Sequence, residues 1–207
     1  MYSRSRFDAL TDGVFSVAMT LLVIDVRLPD ALSAGDEAGF VRALRDLEPK
    51  LLAYAMSFFV VGVSWLAKVV ARTRSETVGR LEALLTLVYL FLVTLTPFST
   101  MALSAGSLRA GPDVLAAVWI YCANLGLMGL TAALILLARR PDAPDGTPWA
   151  IVSPLLLFVS GLAGAGAATL GSNQWAYTFL ITILGGFAER RAKKAAKDEP
   201  STPASAS

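Results

Sequence analysis

Six stretches of this chain are dominated by apolar residues, with polar residues gathered between them. They cover roughly 7–28, 49–71, 81–104, 112–138, 149–170 and 173–189. A bilayer-crossing helix needs about 20 apolar residues, and all but the last run reach that length comfortably. The pattern therefore predicts an all-α integral membrane protein with six transmembrane helices. The first run is not read as a cleaved signal peptide. It has acidic residues at its start, no small-residue cleavage site, and too great a length. Between the first two runs, Phe40, Val41, Leu44 and Leu47 recur at helical spacing with charges among them. This predicts a short amphipathic helix leading into the second span, with Pro49 at the junction.

Charge placement sets the expected orientation. One side of a six-span arrangement collects Arg4, Arg6, Arg72, Arg74, Arg80, Arg139 and Arg140, together with the C-terminal Arg190, Arg191, Lys193, Lys194 and Lys197. The other side has Arg27, Arg42, Arg45, Lys50 and Arg109. The positive-inside rule then puts both termini in the cytoplasm. A five-span arrangement would move the C-terminal cluster outside, so it is disfavoured. Residues 1–189 are expected to form the membrane domain. Residues 190–207, basic and then rich in Ser, Pro and Ala, are expected to be a disordered cytoplasmic tail.

Composition narrows the chemistry. The chain is 55% hydrophobic with a mean hydropathy of +0.60, above the roughly 45–50% apolar content of soluble domains. It has no histidine and a single cysteine, Cys122, inside an apolar run. The commonest general base and metal ligand is thus missing, and no intrachain disulfide can form. A membrane enzyme is disfavoured, and neither a cofactor nor a nucleic-acid partner is expected. The Gly- and Ala-rich fifth run, SGLAGAGAATLG, suits close helix contact. The third to sixth runs hold few polar residues.

The first run, RFDALTDGVFSVAMTLLVIDVRLP from Arg6 to Pro29, combines a charged and hydroxyl-bearing start with an unbroken apolar end. With Val17 at zero on a helical wheel, Leu21 falls at about +40°, Ile24 at about −20° and Thr20 at about −60°. These four share one face. Asp12, at about −140°, points toward neighbouring helices, where a charge at membrane depth needs partners. Val, Leu and Ile at such spacing also occur in ordinary packed membrane helices. Asp8 and Asp12 also suit a helix N-terminus.

The segment Arg6-Phe7-Asp8-Ala9-Leu10-Thr11-Asp12 resembles the R-x-x-x-F-S-D signature of prokaryotic members of the transmembrane protein 175 family, relatives of the endolysosomal potassium channel. Arg6 and Asp12 fit the ends of the signature. Leu10 stands for its Phe, and Thr11 for its Ser. The similarity continues through Ala18–Ile24 to Pro29, with looser echoes at Trp65 and at Pro97-Phe98-Ser99-Thr100. Where the family often has Asn and His after the Trp, this chain has Ala67 and Lys68.

The resemblance implies a potassium-permeable channel of the prokaryotic plasma membrane. It would be a homotetramer with the first helix of each subunit lining a central pore, and with potassium ions as the permeant species. It implies that Val17 takes the place of the large aliphatic constriction, Leu21 and Ile24 the next apolar layers, and Thr20 the threonine layer tied to selectivity. The signature occurs once, as in a single-repeat subunit, and no T-V-G-Y-G carbonyl filter is present. Arg6 lies at about −20°, beneath the stripe, and would repel cations there. Either the helix bends before Asp12, or a carboxylate such as Asp8 or Asp12, from the same or a neighbouring subunit, neutralises it. Arg6 is accordingly expected to serve assembly more than selectivity. The alternative is a small secondary transporter. It would need a broken helix or an inward charge near midplane, and the sequence shows neither.

Overall fold

In the computed structural model, residues 2–26, 37–70, 76–107, 112–139, 151–171 and 177–180 are described. A two-residue strand β1 (Tyr2–Ser3) leads into helix α1 (Arg4–Leu21), which tightens into a 3-10 turn over Leu22–Asp25. Then follow α2 (Glu37–Val70), the short strand β2 (Thr77–Val78), α3 (Arg80–Ser107), α4 (Pro112–Ala138) and α5 (Val152–Thr169). Five helices among the described residues are long and apolar enough to cross a membrane. Of the expected sixth span, 173–189, only residues 177–180 are described, and they are helical. The tail from 190 lies outside the described residues.

The amphipathic segment before the second span is not a separate helix. It runs without interruption through position 49 into α2, which is 34 residues long. A proline frees the carbonyl four residues earlier. That residue is Arg45, which is exposed, so water can take up the lost bond.

Helices α3, α4 and α5 form the frame on which α1 and α2 are mounted. Among lipid tails there is little hydrophobic drive to bring helices together, so close packing and interhelical hydrogen bonds must hold them. Glycine provides the closest approach. A Cβ on Gly161 would lie 2.7 Å from the carbonyl oxygen of Cys122 and from the Cα of Gly126. One on Gly129 would lie 2.6 Å from the backbone of Pro154 and Phe158. The Gly/Ala-rich stretch of α5 therefore lies directly against α4, as its composition predicts. The core includes Phe15 of α1, Val60 of α2, Tyr89 and Val93 of α3, and Tyr121, Leu125 and Met128 of α4. Phe15 packs against Tyr89 with ring centroids 6.0 Å apart.

A buried polar knot joins three helices within this frame. Thr100 Oγ1 donates to Ser57 Oγ at 2.8 Å, and Ser57 is 3.1 Å from the Tyr121 hydroxyl. Asn124 Nδ2 donates to Thr96 Oγ1 at 3.2 Å and to Ser99 Oγ at 3.3 Å. The third and fourth runs look nearly featureless in sequence, yet their few hydroxyls and one amide meet. The spacing of Thr96, Ser99 and Thr100 on one face of α3 was the available signal, with Asn124 as its partner on an otherwise apolar helix.

Candidate functional site

The sequence of α1 sorts its residues onto two faces. Thr11, Phe15, Ala18 and Leu22 are buried, at wheel positions between about +100° and +160°. The opposite face stays open: Val17 is 57% exposed, Leu21 43% and Ile24 53%, and Thr20 is exposed with them. All four residues of the expected stripe thus share the outward face. The 3-10 turn adjusts their alignment. With about three residues per turn, Ile24 stands above Leu21 rather than more than halfway toward Thr20. Thr20 Oγ1 donates its proton to the Val17 carbonyl at 2.8 Å. Its lone pairs remain on the exposed side, where they can face a cation.

The signature residues divide between the faces. Leu10 and Arg6 are exposed on the stripe side. Among the described residues Arg6 has no ion pair, so neither Asp8 nor Asp12 of the same chain neutralises it. Thr11 is buried, and its hydroxyl donates to the Phe7 carbonyl at 2.8 Å. Asp12 turns inward as its wheel position requires. Its Oδ1 accepts a hydrogen bond from Trp65 Nε1 at 2.9 Å, tying α1 to α2.

The strongest anchor of α1 is a residue the sequence reading passed over. Arg4 forms a two-pronged pair with Glu82 of α3, NH1 to Oε1 at 3.0 Å and NH2 to Oε2 at 3.2 Å. Its NH2 also reaches the Thr77 carbonyl at 3.1 Å. Arg139, just past α4, donates from Nε to Glu82 Oε1 at 3.3 Å. Burial pulls the Arg139 guanidinium below its ordinary value, and the Glu82 carboxylate works against that shift. The strand pair reinforces the anchor, with Tyr2 opposite Val78 and Ser3 opposite Thr77. The Arg4 amide donates to the Glu76 carbonyl at 3.0 Å. Close by, the Lys68 ammonium sits 4.1 Å from the centre of the Tyr89 ring, where the ring's negative face favours a cation.

These features define a polytopic helical membrane protein. Its first helix is clamped at the base and open along one regular face. The family resemblance is borne out by comparison. The model of the family described as endosomal/lysosomal potassium channel TMEM175 matches residues 6–97. A potassium channel of Streptomyces collinus is 34% identical over 104 residues, 50% of this chain and 49% of its own length. A potassium channel of Chamaesiphon minutus is 34% identical over 119 residues, 55% of this chain and 56% of its own length. The endosomal/lysosomal proton channel TMEM175 of Homo sapiens is 36% identical over 70 residues, 31% of this chain and 14% of its own length. The matches thus span about half the length of the bacterial relatives. In three dimensions the chain has the fold of a lysosomal potassium-selective channel TMEM175 homologue from Chamaesiphon minutus. The TM-score is 0.72 at 23% identity, covering 89% of this chain and 97% of that one. These relatives are named as ion channels, not enzymes.

Proposed function

We propose that this chain is a subunit of a potassium-permeable cation channel of the TMEM175 type. In this reading each subunit crosses the prokaryotic plasma membrane six times with both termini in the cytoplasm, and four subunits surround one pore. Residues 1–189 form the channel domain, and 190–207 a cytoplasmic tail. Val17, Leu21 and Ile24 contribute stacked apolar rings, and Thr20 contributes a ring of hydroxyl oxygens between them. Such rings can gate by dewetting, with no carbonyl filter required.

The observation that carries this reading is the open face of α1. A lipid-facing helix would also leave apolar residues exposed. Here the stripe includes Thr20 and begins at Arg6, two groups that lipid does not favour. Facing copies of the same helix across a water path gives both of them solvent. One helix cannot enclose such a path, so the reading requires oligomerisation. Arg6 is then met by a carboxylate of the neighbouring subunit.

The test is ion flux in liposomes of purified protein, with potassium, sodium and proton gradients applied separately. Wild type is expected to pass potassium, and substitutions at Val17 and Thr20 to change the rate and the ion preference. Absence of potassium-dependent flux under any gradient, with a tetramer verified, overturns the proposal. Proton flux without potassium flux would assign the pore to the other ion named among the relatives.

A further inference from the structure

A cavity of about 40 Å³ lies where α2 and α4 end and α3 and α5 begin. Its polar side is formed by Lys68, Arg139 and Ser153, and its apolar side by Ile135, Leu136 and Leu157. This volume suffices for about three water molecules or one small oxyanion. Among the described residues, two cations line it and no carboxylate does. Glu82, Asp8 and Asp12 line the adjoining cleft with Arg4, on the far side of Lys68 and Arg139.

Of the three cations in this region, Arg4 and Arg139 are ion-paired and Lys68 is not, among the described residues. The Glu82 carboxylate is held by both prongs of Arg4 and by Nε of Arg139. Lys68 has no ion pair among the described residues, and its ammonium rests on the Tyr89 ring. Glu82 and Asp8 act on Lys68 only from beyond ion-pair distance, and an ammonium near the end of a membrane helix without a close partner is costly; an aromatic face offsets only part of that cost. An anion in the cavity would supply the rest. Basic pockets between membrane helices on the cytoplasmic side are suited to anionic headgroups. The apolar wall opposite the cations suits the start of an acyl chain.

We infer that this cavity binds a phosphate group through Lys68 and Arg139, with the Ser153 hydroxyl as a further partner. The phosphate belongs either to an anionic phospholipid headgroup or to free inorganic phosphate. The site is separate from the open face of α1, and the inference does not depend on where ions cross.

The test measures thermal unfolding of the purified full-length chain in detergent, by tryptophan fluorescence. The midpoint is followed with added phosphatidylglycerol, with inorganic phosphate, and with phosphatidylcholine as the zwitterionic control. Phosphatidylglycerol or phosphate is expected to raise it by about 4 °C, and phosphatidylcholine by less than half as much. A shift with phosphatidylglycerol alone assigns the lipid; a shift with phosphate as well assigns the free anion. Lys68→Met is expected to weaken the apparent affinity about tenfold. Ala132→Leu, which fills the cavity and leaves the charges in place, is expected to abolish the shift. It also serves if Lys68→Met does not fold. The inference is overturned if neither anion shifts the wild type, or if the shift is unchanged in these variants.

Discussion

The Trp65 indole donates a hydrogen bond to the Asp12 carboxylate at 2.9 Å, across the contact between α1 and α2. Asp12 lies about 12 Å along α1 from its start. A carboxylate at that depth is tolerated when its partners are built in. The bond fixes the rotation of α1: with Asp12 turned toward Trp65, Val17, Leu21 and Ile24 must turn outward.

Trp65→Phe keeps most of the ring packing and removes the donor. A hydrogen bond to a charged group is worth about 2 kcal/mol. The variant is expected to unfold at a lower temperature by a corresponding amount, and Asp12→Ala combined with Trp65→Phe to cost less than the two changes added. A thermal double-mutant cycle in detergent measures this coupling. A coupling near zero would show that the bond does not hold the helix.

Breaking the Arg4–Glu82–Arg139 cluster should be expensive, because Glu82 is buried. Arg4→Met leaves Glu82 with one cation. Glu82→Gln removes the carboxylate that both arginines share. Removing one partner of a buried pair costs about 3–5 kcal/mol, and Glu82→Gln is expected to be the more damaging. Size-exclusion profiles and unfolding midpoints of the two variants rank them.

The glycines of α5 offer an internal contrast. Gly161→Ala would force a Cβ to within 2.7 Å of the Cys122 carbonyl oxygen, and overpacking of this kind costs about 1–3 kcal/mol. Gly166→Ala meets nothing within 4 Å and should be neutral or stabilising, by up to about 1 kcal/mol, through helix propensity. Equal unfolding midpoints for the two variants would mean that α4 and α5 are not in close contact.

Val17 is one methylene smaller than the Ile or Leu that the resemblance leads one to expect at a constriction. Val17→Ile is therefore expected to reduce single-channel current. Current equal to or above wild type would remove Val17 from the narrowest ring.

Hydropathy alone placed the five described spans, because bilayer thickness dictates run length. The inward turn of Asp12 and the outward stripe were also legible, since helical geometry fixes angles from spacing. The Arg4–Glu82–Arg139 cluster was not. It joins residues 78 and 57 positions apart, and nothing local in the chain links Arg4 to Glu82. The 3-10 turn at Leu22 was also hidden, because apolar residues fit either winding equally well. The continuity of α2 through Pro49 depended on solvent at Arg45, a tertiary fact.

The knot of Ser57, Thr96, Thr100, Tyr121 and Asn124 has a mechanical consequence. Surrounding hydrocarbon gives a helix no lengthwise grip, because a leucine moved by one turn meets another apolar neighbour at little cost. Hydroxyls and an amide in mutual contact have only one register, and sliding would strand each of them in oil. The height of α2 is thereby pinned against α3 and α4. Trp65 stands about two turns further along the same helix and passes that height on to Asp12. The first helix can lean about this level, but it cannot move like a piston.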